Sequence, residues 1–161
     1  MQKILQFKKC VNSSGFSLIE LIIIIVLIGI FTTMALTRTD TGLTTIKEQI
    51  AIDQITNDID LARSMAFARN ETIIIMFDKD QESYGIYDES GIITTFPNSD
   101  NNGIISLDNP SLRNVDIKNV DFSGSSNLQF QPLGDPISGG TIELNTKTII
   151  IEPITGKWNV N

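Results

Sequence analysis

The sequence predicts an α+β protein in which a long N-terminal helix leads into an antiparallel β-sheet domain. Three observations predict it. From Phe16 to Thr37 the chain is almost wholly apolar, with Glu20 as its single ionisable side chain. Apolar residues then recur every three or four positions as far as Arg69, a helical spacing. After Asn70, short apolar runs alternate with Gly, Asn, Asp and Ser turns, the mark of an antiparallel sheet. One helix ahead of such a sheet is an α+β layout.

Composition narrows the function. The 161 residues are 41% apolar and 19% charged, which suits one modest core with an appendage. It excludes a disordered chain and a multispan membrane protein. Twelve basic residues against 19 acidic give a net charge of −7, the wrong sign for a non-specific nucleic-acid binder. The chain has no histidine and one cysteine, Cys10. His-based catalysis, an intrachain disulfide and Cys-based zinc sites are therefore ruled out.

The first element is the run FSLIELIIIIVLIGIFTTMAL, 21 residues from Phe16 to Leu36. As a helix it would extend ~32 Å at ~1.5 Å per residue, enough for a hydrocarbon core ~30 Å thick. Lys3, Lys8 and Lys9 precede it with no acid among them, so the N-terminus is expected in the cytoplasm and the body on the exported side. A cleavable secretory signal would need a small-residue site beyond the run, and Thr33-Met34-Ala35 is a poor one. A plain anchor explains the length but not Glu20, since a carboxylate deep in lipid costs ~2.5–3.5 kcal/mol even on insertion scales.

Lys8-Lys9-Cys10-Val11-Asn12-Ser13-Ser14-Gly15-Phe16-Ser17-Leu18-Ile19-Glu20 resembles the prepilin processing motif of type IV pilins and type II secretion pseudopilins. The resemblance implies that prepilin peptidase cuts between Gly15 and Phe16 and methylates the new N-terminus on Phe16. Residues 1–15 are then a leader, 16–37 a transmembrane and assembly helix, 38–70 a linker and amphipathic helix, and 71–161 a periplasmic β domain. It also implies that Glu20 pairs with the N-terminal amine of a neighbouring subunit. Gly29 is either a tolerated small residue or a flexible point. The helix-bending proline common in major pilins is absent around Thr37.

Thr37–Thr45 is rich in Thr and holds Gly42, poor helix material. A frayed or kinked section is expected there. Helical spacing resumes with Ile46, Ile50, Ile52, Ile55, Ile59, Ala62, Met65 and Ala66, while Lys47, Glu48, Asp53, Asp58 and Asp60 are expected on the solvent face. The apolar stripe is expected to cover a sheet, and Asn70 to end the helix. Leu61–Ile73, with its alanines and Arg63 and Arg69, resembles the helix-to-strand junction of the GspH/FimT branch of minor pseudopilins and pilins.

Strands are expected at Thr72–Phe77, Glu82–Tyr87, Ile92–Phe96, Ile104–Leu107, Val115–Phe122, Leu128–Phe130, Thr141–Leu144 and Thr148–Ile151, with a last one around Trp158 and Val160. Leu128-Gln129-Phe130-Gln131-Pro132-Leu133-Gly134, Ser138–Ile142 and Pro153–Trp158 again resemble the GspH/FimT branch. Residues 97–127 match no motif of it.

Two acidic stretches could approach a cation, and the first nearly fits the start of a calcium loop. Asn98–Asn109 lacks the first Asp and the closing Glu of a calcium-binding loop. Asp78, Asp80 and Glu82 suit a turn equally well. DNA binding, which some FimT-like pilins perform through a basic loop, finds only Lys147 and Lys157 here, beside Glu143 and Glu152; Trp158 could stack on a base but is expected as a core or rim aromatic. No catalytic residue, metal or cofactor is expected.

The resemblance implies a structural subunit of a type II secretion pseudopilus, near its tip; the alternative is a minor type IV pilin for adhesion, motility or DNA uptake. Its partners would be other pilin-like subunits through the N-terminal helix, prepilin peptidase and the inner-membrane assembly platform.

Overall fold

The computed structural model describes residues 16–37, 39–112 and 114–161. The chain divides into two units, Met1–Asp40 and Thr41–Asn161. In the first, α1 spans Leu18–Thr37. The Ser17 carbonyl opens it, accepting N–H bonds from Glu20 (3.0 Å) and Leu21 (3.2 Å). Thr32 and Thr33 would be liabilities in an apolar helix. Their hydroxyls donate instead to carbonyls one turn back, Thr32 to Ile28 (2.7 Å) and Thr33 to Ile30 (2.8 Å), which hides the polar groups against the backbone.

The second helix, α2, spans Thr39–Arg69. The Thr-rich stretch expected to fray is therefore helical from Thr39. A helix already nucleated adds a hydrogen bond with each residue fixed, and that outweighs the few tenths of a kcal/mol each Thr disfavours. At the far end Asn70 adopts φ 55°, and the Glu71 N–H bonds the Ala66 carbonyl at 3.3 Å, a Schellman-type stop.

Among the described residues nine strands follow: β1 (Ile73–Asp78), β2 (Ser83–Asp88), β3 (Gly91–Ile92), β4 (Ile104–Ser106), β5 (Asn119–Asp121), β6 (Asn127–Phe130), β7 (Gly140–Glu143), β8 (Thr148–Ile151) and β9 (Trp158–Val160). They form two antiparallel sheets. One runs β3-β2-β1-β6 with β4 also on β2, and the other runs β5-β7-β8-β9. Register sets Ile75 between Ile86 and Leu128, so one face of the first sheet is apolar across three strands. The second sheet pairs Ile142 with Ile149 on its inner face.

A single core joins α2 to both sheets. It contains Ala51, Ile52, Ile55, Ile59, Ala62 and Ala66 from the helix, Ile73, Ile75, Tyr84, Leu128 and Phe130 from the first sheet, and Ile142, Ile149 and Ile151 from the second. Every core residue lies between Ala51 and Ile151, so the unit Thr41–Asn161 carries its own core. The α+β layout expected from the sequence is the one found.

Three expectations are corrected. Ile46 and Ile50 are exposed, and the buried stripe instead runs through Glu48, Ala51 and Ile52. Glu48 and Asp58, expected on the solvent face, are buried because each has a hydrogen-bonding partner inside. Two strands are shorter than their apolar runs. Of Ile92–Phe96 only Ile92 lies in a strand, because Pro97 follows Phe96 and the Ser99 hydroxyl bonds the Phe96 carbonyl at 2.7 Å. Val115–Phe122 keeps only Asn119–Asp121, and the Ile117 N–H is drawn to the Glu82 carboxylate. Phe96, Val115 and Ile117 are buried nonetheless, as loop residues plugging the core.

Candidate functional site

The site expected at the N-terminus begins at Phe16, because Gly15 and the leader lie outside the described residues. Phe16 and Leu18 are 75% and 76% exposed, and Glu20 is an exposed acid in the first turn of α1. A carboxylate there faces the positive end of the helix dipole, which stabilises it. Ser17-Leu18-Ile19-Glu20 also has the Ser-x-x-Glu spacing of a capping box.

From Leu18 to Met34, α1 presents apolar side chains in every direction, with Leu, Ile, Val, Phe and Met all exposed. Such a helix calls for lipid or protein around it. Each Leu or Ile left in water forgoes ~1.5–3 kcal/mol of burial. Among the described residues no helix is long and apolar enough to cross a membrane. The side chains of α1 are described only as far as Met34, which is shorter than the 21-residue run of the sequence. A Cβ on Gly29 would meet nothing within 4 Å, so no contact within the chain requires glycine there.

The helix α2 is fastened to the two sheets by polar contacts. Both Glu48 oxygens accept bonds from the β7–β8 turn: the Thr146 N–H and hydroxyl at 2.6 Å each, and the Lys147 N–H at 3.1 Å. Burial pushes the Glu48 pKa up, but these bonds and the Lys147 charge outweigh it and hold the carboxyl below its usual value. Asp58 is the reverse case. Burial raises its pKa to about 6 against the pull of the Tyr84 hydroxyl, which donates to it at 2.6 Å. Trp158 stands at the rim, 39% exposed, with Nε1 donating to Asp60 at 3.1 Å.

The acidic residues that could approach a cation are spent on the chain itself. The Asp78 carboxylate accepts the N–H groups of Asp80 and Gln81, and that of Asp100 accepts those of Asn102 and Ile104. Glu82 reaches Ile117 rather than Asp78 or Asp80. Burial lifts its pKa, and the neighbouring charges of Asp116, Asp108 and Asp78 add to this against the Ile117 bond. Among the described residues no three His, Cys, Asp or Glu side chains are grouped to hold a metal. Of the two lysines in the region of a DNA-binding loop, Lys147 donates its ammonium to Gln49 at 2.7 Å, while Lys157 is exposed.

The family described as Type II transport protein GspH matches residues 51–159, from the first buried turn of α2 to the last strand. The chain belongs to the GspH family. A second family description, the prokaryotic N-terminal methylation motif, matches residues 10–36, over the processing motif and α1. No curated protein and no solved structure matches the chain. The GspH match spans residues 97–127, where the sequence offered no family motif. Together the two matches give the chain a type II secretion pseudopilin or type IV pilin-like role. The methylation motif implies an exported, membrane-anchored protein of such filaments.

Proposed function

We propose that this GspH-family chain is a minor pseudopilin, a structural subunit near the tip of a type II secretion pseudopilus. Prepilin peptidase cuts between Gly15 and Phe16 and methylates Phe16. The apolar helix is kept by this cut, anchors the subunit in the inner membrane with the β domain on the periplasmic side, and then packs among the helices of other subunits. The inner-membrane assembly platform extracts it. The supporting observation is α1 itself: apolar all round, exposed as far as Met34, and carrying its one carboxylate, Glu20, in the first turn behind the processing motif.

Glu20 pairs with the Phe16 amine of a neighbour. At ~4 Å and an effective dielectric of ~20 the attraction is about 4 kcal/mol, and desolvation offsets much of it. The pair therefore selects register more than it stabilises. The family description that covers most of the chain favours the secretion system. A minor type IV pilin is the second reading, favoured by a methylation motif that is common to both kinds of filament.

Mass spectrometry of the protein from cells with active peptidase is expected to find a methylated N-terminus at Phe16. A chain still beginning at Met1, or trimmed beyond Ala35, refutes the proposal. Glu20→Ala is expected to leave cleavage intact and to lower incorporation into filaments at least tenfold. Incorporation at the normal level removes Glu20 from this role.

A further inference from the structure

The exposed side of α2 carries a seam that the core does not use. Leu43, Ile46 and Ile50 begin it, all about half exposed, and Asp53, Asn57 and Asp60 continue it at alternating three- and four-residue steps. Phe67, 68% exposed, ends it. This is the spacing at which one helix packs along another. Beside its far end lies a groove of ≈ 530 Å³ between α2 and the β6–β7 loop, lined by Asp60, Arg63, Phe67, Leu133 and Gly134. Leu133 is 72% exposed.

Arg63 gives the groove its chemistry. Its Nε donates to the Gly134 carbonyl at 3.1 Å, which leaves the two terminal amino groups of the guanidinium. Among the described residues no carboxylate lies within 4.0 Å of them. Asp60, one turn back, is held by the Trp158 indole. In a chain of net charge −7, a half-buried cation between apolar walls selects for an anion.

We propose that a helix of a neighbouring pilin-like subunit docks along this seam, seating an apolar side chain between Phe67 and Leu133 and a carboxylate on Arg63. The proposal rests on the pseudopilin reading and names the partner chemistry that reading leaves open. A bare lipid surface fits less well, because the middle of the seam is acidic and the inner-membrane surface is itself negative.

The test uses the full chain in its own cells, with a photo-crosslinking amino acid in place of Leu133. The expected product is an adduct with another chain bearing the same N-terminal methylation motif, mapped to a helical segment within one turn of an Asp or Glu. Its yield should fall at least tenfold with Phe67→Glu, and likewise with Arg63→Gln, whose amide can still donate to Gly134. Arg63→Glu should abolish the adduct, and changing the mapped acid to Arg should restore it. An adduct with lipid, with a protein lacking the motif or with a second copy of this chain overturns the proposal. So does no adduct, or a yield indifferent to Arg63. In each of those cases a mature N-terminus at Phe16 and normal incorporation would show that the pseudopilin reading stands without this surface.

Discussion

Two buried acids on α2 show how a single side chain answers to its partners. Glu48 is satisfied by three donors, and its folded-state pKa lies below 4.5, so its contribution to stability is present above that pH and lost as pH falls through the folded value. Asp58 works in the opposite sense. Its value rises from 3.8 to about 6, so its contribution is fully present below pH 3.8 and is lost as pH climbs through about 6. Glu82 titrates in the same direction as Asp58, which makes the difference between variants the clean measurement. Residues 41–161 carrying Asp58→Asn keep a neutral partner for Tyr84. Their urea midpoint relative to wild type should rise between pH 4 and pH 7. A relative midpoint flat across that range removes Asp58 as the source.

At the scale of elements, close approach decides more than propensity does. The strand β7 begins at Gly140, where an added Cβ would overlap the Asp121 carbonyl and the Phe122 ring. Gly140→Ala must therefore prise β5 from β7. A loss of about 2–4 kcal/mol is expected, the size of other core overpacking and backbone-strain effects, read as a lowered urea midpoint with unchanged m-value. Full stability in that variant would mean that β5 can move aside without cost. The alanines of the junction act in the same way from the helix side: Ala62 and Ala66 are wholly buried, which lets α2 lie close to the first sheet.

For the whole molecule, the division into Met1–Asp40 and Thr41–Asn161 puts the apolar helix α1 in one unit and, among the described residues, all the buried core in the other. The full chain is expected in the membrane fraction and resistant to alkaline extraction, whereas residues 41–161 should be soluble and fold cooperatively. Release of the full chain by alkali would argue against a spanning α1. Loss of cooperative unfolding in residues 41–161 would show that this unit needs α1.

The order of elements was legible because it depends on local signals. An apolar run behind Gly-Phe-Ser-Leu-Ile-Glu, a three- and four-residue period, and strands cut by Gly, Asn and Asp turns each declare themselves within a few residues. The processing motif was legible for the same reason, since the chemistry of cleavage reads consecutive side chains. The sequence could not say which of two adjacent helical stripes turns inward. Ile46 and Ile50 looked like core and Glu48 and Asp58 like surface, until the Thr146 turn and the Tyr84 hydroxyl supplied partners from residues far along the chain. The Arg63 groove was hidden too, because its other wall, Leu133 and Gly134, arrives from the β6–β7 loop. Hydrophobic period shows that a helix has an apolar face; only the packed sheets decide which polar groups can be buried satisfied and which apolar ones are left for another chain.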